Sequence, residues 1–403
     1  MNLPDARRRA LLVGAAMGAF PVAAGARNAA VQEALARLGT REAAVLGDAD
    51  VQGDFNDVAL AHGLHRTGPR SRDFSIKTVW AAERRCALFT GANHNSPHRL
   101  NDVWQFDLGD FGWRLLYPPD HPRSYGGLGP DASDVAFENG WLITRRGGPA
   151  VIGHTWSGLT YDPVRQQLLF MNTWIADQDK LVRELGGDPQ QRYRGPPLWS
   201  FTPHTGRWSP IETPKPWPAV PFGAMLEYVP ALEGAIWHMN NWQMRGTWLF
   251  ESRARRWHDL RANAAGGDFE RQAPGRELVG YHDPRRGLIV ARQAADTFHF
   301  EVQHKRWTRV ATSGDPAPEG HDAHTALHYD DASGDGLLVD LRGRGMWAYD
   351  PDNARWARLT PQGSPMPGGE RPLVAMDPTR NVLLFIADRK VWAYRHLAKA
   401  PAR

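Results

Sequence analysis

The sequence predicts an all-β fold, a β-propeller, on three observations. The chain has 403 residues with 40 glycines, 31 prolines and 17 tryptophans, which is typical of short strands, tight turns and an aromatic core. A motif of two aromatic residues, a polar turn and a tryptophan occurs five times. The motif recurs with a period near 50 residues, and each period has room for four strands, the content of one propeller blade.

The repeated motif has one fixed spacing, because the closing tryptophan always follows the first aromatic residue by nine positions. Alternating aromatics, a turn and a second strand opened by tryptophan predict the third and fourth strands of a blade. The last four closing tryptophans are 49, 50 and 49 residues apart. The five pairs are Trp104 and Trp113, Trp199 and Trp208, Trp248 and Trp257, Phe298 and Trp307, and Trp347 and Trp356.

Two further strands are predicted before each hairpin. In "GLTYDPVRQQLLFM" (158–171) a strand ends in Asp-Pro, and an apolar strand follows a polar turn, as expected for a buried second strand. Over roughly residues 70–397 the chain resembles the kelch-repeat propellers of the galactose-oxidase central-domain superfamily. The Gly-Gly pair usual after the second strand is degenerate, since Thr90-Gly91, Met171-Asn172 and Ala291-Arg292 stand there.

The resemblance also raises copper-radical chemistry, which needs a cysteine cross-linked to a tyrosine beside copper. Cys86 is the only cysteine, and it begins an apolar strand in a different local context. The later blades contain no matching Tyr-His ligand pair, although His328 and Tyr329 are adjacent. The resemblance therefore implies the fold and not this chemistry. A single cysteine also excludes an intrachain disulfide, so packing must stabilise the fold.

The tryptophan spacing predicts six blades, with seven as the alternative. Trp113 and Trp208 are 95 residues apart, close to two periods. We assign the excess to two insertions without the aromatic pair. The insertion at about 124–152 is predicted to form a two-stranded excursion, and that at 175–197 one or two helical turns.

The sixth unit lacks its outer strand, because the chain ends soon after "KVWAYRHL" (390–397). A propeller must close, since open strand edges favour aggregation. We expect part of residues 41–60 to pair with residues 389–396, and the alternative is that this segment only wraps the surface. The helical spacing of Val31, Leu35 and Leu38 predicts a short helix. Residues 27–69 are thus a helix and closing strand, and residues 70–403 the propeller.

Residues 1–26 are predicted to be an export signal. Three arginines (Arg7, Arg8 and Arg9) precede a short apolar run and the small-residue site Ala24-Gly25-Ala26. The arginines indicate the twin-arginine type, with general secretion as the alternative. The apolar run is too short and too rich in glycine and alanine for a membrane anchor. We expect a periplasmic or extracellular monomer with no membrane insertion after cleavage behind Ala26.

The charge of the chain excludes one class of partner. The formal net charge is +4, of which residues 1–26 carry +2, so the rest of the chain carries +2. This charge is too small for a nucleic-acid-binding surface. A net charge of +2 permits the binding of an anionic ligand but does not require it.

One face of the predicted propeller, called the loop face below, carries long links rich in histidine, arginine and aromatic residues. It holds the links from strand 2 to strand 3 and from strand 4 to the next blade. Long loops on a rigid scaffold are where function usually lies. The candidates are His154, His324 and Tyr125 as acid or base; Arg342, Arg371, Arg389, Trp242, Asn240 and Trp174 as ligand contacts; and His94, His98, His154, His238, His321 and His324 as metal ligands.

Three functions fit these residues, and the sequence leaves open whether the protein is an enzyme. The first is binding of a glycan or another polar or anionic ligand, because propellers often only bind. The second is a carbohydrate-active lyase, hydrolase or epimerase, with a histidine or tyrosine as acid or base and arginines holding a carboxylate or sulfate. The third is a transition-metal enzyme with histidine ligands from several blades, since imidazole suits Zn, Cu and Fe.

Overall fold

The computed structural model describes residues 20–92, 100–120, 134–153, 155–172, 178–219, 225–241, 245–264 and 268–398. Within these ranges six antiparallel sheets, with an additional parallel strand in three of them, form a six-bladed β-propeller. The predicted all-β fold and the blade number are therefore confirmed. The alternative of seven blades is wrong, because the residues between the first two blades form a separate hairpin rather than a four-stranded sheet.

The N-terminal segment precedes the first blade and contains both helices and strands. Its elements are α1 (Phe20–Arg37), β1 (Glu42–Asp48), β2 (Asp50–Gln52), α2 (Asp57–Ala61) and α3 (Leu64–Thr67). No helix in the described part of the chain combines the length and the hydropathy needed to cross a membrane.

The antiparallel strands of each blade run from the central axis outward in chain order, except that β1 is the fourth strand of blade 6, and the short parallel strands lie at the outer edges. Blade 1 contains β3 (Val79–Ala81), β4 (Cys86–Phe89), β5 (Val103–Asp107) and β6 (Gly112–Tyr117), and the hairpin of β7 (Val135–Glu138) and β8 (Trp141–Thr144) follows it. Blade 2 contains β9 (Leu159–Asp162), β10 (Gln167–Met171), β11 (Leu198–Thr202) and β12 (Arg207–Pro210), with α4 (Gln178–Glu184) and a 3-10 turn (Pro189–Gln191) between β10 and β11.

The remaining blades repeat this order. Blade 3 contains β13 (Met225–Val229), β14 (Gly234–Asn240), β15 (Arg245–Glu251) and β16 (Arg256–Asp259), with a 3-10 turn (Pro230–Leu232). Blade 4 follows α5 (Phe269–Gln272) and contains β17 (Val279–Asp283), β18 (Leu288–Gln293), β19 (Asp296–Glu301) and β20 (Arg306–Val310). Blade 5 contains β21 (Ser313–Gly314), β22 (Thr325–Tyr329), β23 (Gly336–Asp340), β24 (Met346–Asp350) and β25 (Arg355–Leu359). Blade 6 contains β26 (Gln362–Gly363), β27 (Leu373–Asp377), β28 (Val382–Ala387) and β29 (Lys390–Arg395).

The ring closes through the N-terminal segment, as predicted. β1 pairs antiparallel with β29, from Glu42 opposite Arg395 to Asp48 opposite Lys390. β2 then pairs in parallel with β6 of blade 1. Only Ala49, which is fully buried, separates the two strands. One short segment therefore covers the outer edges of the last and the first blade.

The repeated aromatic motif forms the packing between strands 3 and 4. In each copy the second aromatic residue lies directly opposite the closing tryptophan, with ring centroids 4.8–5.2 Å apart. All five closing tryptophans are buried. The fixed spacing of nine thus reflects one cross-strand pair repeated in five blades. The pairs are Phe106 with Trp113, Phe201 with Trp208, Phe250 with Trp257, Phe300 with Trp307, and Tyr349 with Trp356.

A fully buried ion pair attaches the N-terminal segment to blade 1. Arg72 Nη2 lies 2.7 Å from both carboxylate oxygens of Asp102, and neither side chain is exposed to solvent. Arg72 Nη1 donates to the carbonyl of Gly91 at 2.8 Å, and Asp102 also accepts from Trp104 Nε1 at 2.6 Å. These additional hydrogen bonds offset the cost of removing both charges from water.

Replacing Asp102 by asparagine should destabilise the fold strongly, because it leaves the guanidinium of Arg72 buried without a counter-charge. We expect Asp102→Asn to lower the free energy of unfolding by about 3–5 kcal/mol, measured by urea denaturation. The matched control is Asp110→Asn, which breaks the exposed pair with Arg114 and should cost less than about 1 kcal/mol. Equal effects of the two substitutions would contradict the assigned role of the buried pair.

Candidate functional site

Six of the expected site residues lie outside the described residues, and nothing further is stated of their placement. They are His94, His98, Tyr125, His154, Trp174 and Trp242.

The structure places His238 in the core and not on an open loop. β14 extends to Asn240, so His238 lies within a strand and is fully buried against Trp307, with ring centroids 4.5 Å apart. Its Nδ1 bonds to Thr247 Oγ1 at 3.0 Å and its Nε2 to the carbonyl of Pro274 at 2.9 Å. Burial lowers the pKa of His238 to about 4. Both nitrogens are occupied by the protein, so the expected role as a metal ligand does not agree with the structure.

Two further candidates have contacts that hold the backbone in place. Asn240 Nδ2 donates to the carbonyl of Ala273 at 3.0 Å, at the end of α5. Arg389 Nε donates to the carbonyl of Ala49 at 2.8 Å, at the link between the closing strands. Both were expected to contact a ligand, and both instead support the local fold.

Five residues of three loop-face links meet where the links enter blades 1, 4 and 5, and we call them the mouth cluster. The rings of His321 and His324 stack with centroids 4.7 Å apart, and the ring of Phe74 lies 5.3 Å from that of His321. Of the predicted site residues, His321 and His324 are thus brought together. The mouth cluster consists of Phe74, Glu277, His321, Asp322 and His324.

A tight turn before β22 sets the two imidazoles side by side. The amides of His324 and Thr325 both donate to the carbonyl of His321, at 3.1 and 2.9 Å. Thr325 Oγ1 accepts from the amide of His321 at 2.7 Å. The sequence "HDAH" therefore forms a closed turn whose first and last side chains lie on the same side.

The hydrogen bonds of His321 determine which ring nitrogen carries its proton. Nδ1 accepts from the amide of Ala323 at 3.1 Å, so the neutral ring carries its hydrogen on Nε2. Nε2 lies 3.7 Å from Glu277 Oε2 and is partly exposed. His321 thus presents an N–H donor beside a carboxylate at the mouth.

Asp322 is the most unusual group of the mouth cluster. It is 2% exposed, and no other described residue donates a hydrogen bond to either carboxyl oxygen; only its own backbone amide favours the charged form. His321 Nδ1 lies 3.6 Å from Asp322 Oδ1 but already accepts a hydrogen bond. Burial, reinforced by the charge of Glu277, raises the pKa of Asp322 well above its ordinary value.

Both imidazoles of the mouth cluster favour the neutral form. Burial lowers the pKa of His321, and the negative charge of Glu277 opposes this effect only in part. Burial also lowers the pKa of His324, with smaller contributions from Arg342 and His321. Arg342 is exposed in the link between β23 and β24, and Arg371 is exposed at the entrance to blade 6. The mouth thus combines two imidazoles that favour the neutral form, a buried carboxyl group with a raised pKa and the exposed guanidinium of Arg342.

Below the mouth the central channel contains a cavity of about 200 Å³. Its walls come from the first strands of blades 1 to 5 and from the residues that enter them. Lys77 of blade 1 forms an ion pair across this cavity with Glu227 of blade 3 and donates to the carbonyl of Leu226 at 2.8 Å. His328 of blade 5 lines the same cavity.

Metal ligation has no complete ligand set in the described part of the chain. Among those residues no group of three or more His, Cys, Asp or Glu side chains has a geometry that could hold an ion.

The comparisons with known proteins do not assign a function. A scan against protein-family models and a search of curated proteins find no match to this chain. The chemistry of the site must therefore be inferred from its own residues.

Sequence reasoning missed most carboxylates of the mouth cluster and the channel cavity, and it also missed Lys77 in the cavity. Asp322 was visible inside "EGHDAHT", but its burial depends on neighbouring blades. Glu227 had a usable signal, since it is the only charged residue in the apolar strand "MLEYV" (225–229). A charge inside a first strand faces either the channel or the next blade, and both positions call for a partner.

Replacing Asp322 by asparagine should stabilise the protein increasingly as the pH rises. Above the ordinary pKa of an aspartate the unfolded chain ionises, whereas the folded protein keeps the proton at a free-energy cost. The gain of Asp322→Asn over wild type should therefore grow by up to about 1.4 kcal/mol per pH unit above pH ~4. Urea denaturation at several pH values measures this difference. The exposed Asp54→Asn variant is the control, and a gain independent of pH would contradict the shifted pKa.

Proposed function

We propose that this protein is an exported kelch-type propeller that binds a glycan, or a similar polar or anionic ligand, at the mouth cluster. The observation that supports this function best is the stacked pair of His321 and His324, with the ring of Phe74 tilted against His321 and with Arg342 close by. A sugar ring offers an apolar face to aromatic rings and hydroxyl groups at its edge. The Nε2–H of His321 supplies a donor for such a hydroxyl group.

An acidic glycan fits the mouth better than a neutral one. Arg342 is exposed and near enough to both imidazoles to influence their pKa values. A guanidinium can hold a carboxylate or a sulfate with two parallel hydrogen bonds. Arg371 is a second exposed guanidinium on the same face. We therefore infer that a carboxylated or sulfated sugar is the preferred ligand.

The kelch type and the export route belong to the same proposal. The aromatic pairs with their spacing of nine support the kelch type, and Arg7, Arg8 and Arg9 before an apolar run support export. An exported protein encounters extracellular and cell-wall glycans, which agrees with the proposed ligand. We further infer that the protein acts as a monomer and does not bind nucleic acid.

A carbohydrate-active enzyme is the second candidate, and Asp322 is the observation that favours it. A carboxyl group that stays protonated near neutral pH can donate a proton, and a neutral imidazole beside it can accept one. Asp322 has the first property, and His324, whose Nδ1 has no hydrogen-bond partner among the described residues, has the second. A lyase, hydrolase or epimerase acting on the bound sugar would use the pair as acid and base.

Loss of the mouth side chains should weaken glycan binding. We expect His324→Ala and Arg342→Ala each to raise the Kd for an oligogalacturonate by roughly tenfold or more, about 1.4 kcal/mol, in isothermal titration calorimetry. His204→Ala and Arg207→Ala are matched controls, because both residues are exposed on the opposite face of the propeller. Neutral malto-oligosaccharides should bind more weakly than the acidic oligomer.

The same preparations separate binding from catalysis. If the protein only binds, mass spectrometry finds the oligosaccharide unchanged after long incubation. If it is an enzyme, a product appears and is lost in Asp322→Asn while binding persists. An acidic oligosaccharide that binds equally well to wild type and to both mouth variants would overturn the proposed site.

A further inference from the structure

The cavity in the central channel has the size of a small-molecule site. Its volume of about 200 Å³ equals the share of about six or seven water molecules at ~30 Å³ each. A compound the size of a monosaccharide fits this space, whereas an oligosaccharide does not. The rings of Tyr281 and Tyr329 stack with centroids 5.7 Å apart in its wall, and no described residue bonds to either hydroxyl group.

Three titratable groups reach this cavity from alternate blades. Lys77 enters from blade 1, Glu227 from blade 3 and His328 from blade 5. Lys77 and Glu227 form an ion pair although their side chains are only 17% and 11% exposed. Lys77 also donates to the carbonyl of Leu226, which leaves the third N–H of its ammonium group for another acceptor.

Burying an ion pair in a channel costs desolvation free energy. Removing two charges from water often costs more than their attraction returns, and apolar side chains of similar volume stabilise a core at least as well. Burial raises the pKa of Glu227 even with Lys77 beside it. The stability of the fold therefore does not require the pair, and a role in binding would account for its two charges.

His328 adds a neutral acceptor to the channel wall. Burial, together with the charge of Lys77, lowers its pKa to about 4, so the ring is uncharged at neutral pH. Its one N–H bonds to the backbone carbonyl of Val374, and its lone pair can accept a hydrogen bond from a hydroxyl group. The cavity thus offers one cation, one anion and one neutral polar ring.

We propose that the channel cavity is a second binding site, which takes a hydroxylated carboxylic acid of monosaccharide size. The carboxylate receives the remaining N–H of Lys77, while hydroxyl groups of the ligand bond to Glu227 and His328. This site uses none of the mouth residues and goes beyond the proposed glycan binding. If the ion pair between Lys77 and Glu227 only connects blades 1 and 3, no ligand should bind in the cavity.

The test is a titration of the intact protein with D-glucuronate at neutral pH, followed by calorimetry. D-Glucose is the matched probe without the carboxylate. We expect saturable binding of glucuronate, and a Kd for glucose higher by roughly tenfold or more. Arg207→Ala, an exposed substitution on the opposite face of the propeller, should bind glucuronate as wild type does.

Channel variants decide where the acid binds. Lys77→Met combined with Glu227→Leu removes both charges together, so no charge stays unpaired, and glucuronate binding should be lost. His328→Phe keeps a ring of similar size and should raise the Kd by roughly tenfold. It provides a second variant if the double substitution does not fold, with circular dichroism reporting folding of each.

Three results would overturn the channel site. Wild type that shows no saturable binding of glucuronate excludes it. Binding that is unchanged in a folded channel variant also excludes it. Glucuronate binding that is lost in Arg342→Ala but kept in the channel variants assigns the acid to the mouth instead, and so favours the glycan proposal alone.

Discussion

The pairing of β1 with β29 is the interaction on which the rest of the structure depends. The last blade has only three antiparallel strands of its own, β27 to β29, so its outer edge stays open until β1 joins it. The segment 42–52 covers the outer edges of the last and the first blade, because β1 pairs with β29 and β2 pairs with β6. With the ring closed, the six first strands lie side by side from β3 around to β27 and back to β3. The channel and its mouth exist only inside this closed ring.

Closure also explains how groups far apart in the sequence meet. Lys77 and Glu227 are 150 residues apart, yet their blades are separated by only one other blade. The same arrangement brings Phe74, Glu277 and His321 together at the mouth. Each blade contributes a short stretch to the axis and hides the rest of its aromatic residues between sheets. Chemical groups near the axis are therefore held by rigid strands, and water reaches them mainly through the ends of the channel.

Much of this fold was predictable, because one cross-strand aromatic pair leaves the same spacing in five blades. The missing outer strand and the need to cover an edge were enough to predict the pairing of residues 41–60 with the last blade. The site was harder to predict. His238 was assigned to a loop because polar residues follow it, but β14 continues to Asn240 and buries the imidazole. The burial of Asp322 and the pairing of Lys77 depend on which blades become neighbours, which local sequence patterns do not encode.

The position of the closing strand also affects folding during synthesis. Residues 42–48 leave the ribosome before the six blades, whereas their partners at 390–395 emerge only after nearly the whole propeller. Until then β1 has no antiparallel partner, and the blades formed in between end in an exposed edge. Contacts between such distant residues slow folding, because a long loop must be ordered before they form. For an extended period the unpaired edge of β1 can therefore bind a strand of another chain or a chaperone. Either would compete with β29, which pairs with β1 in the folded protein.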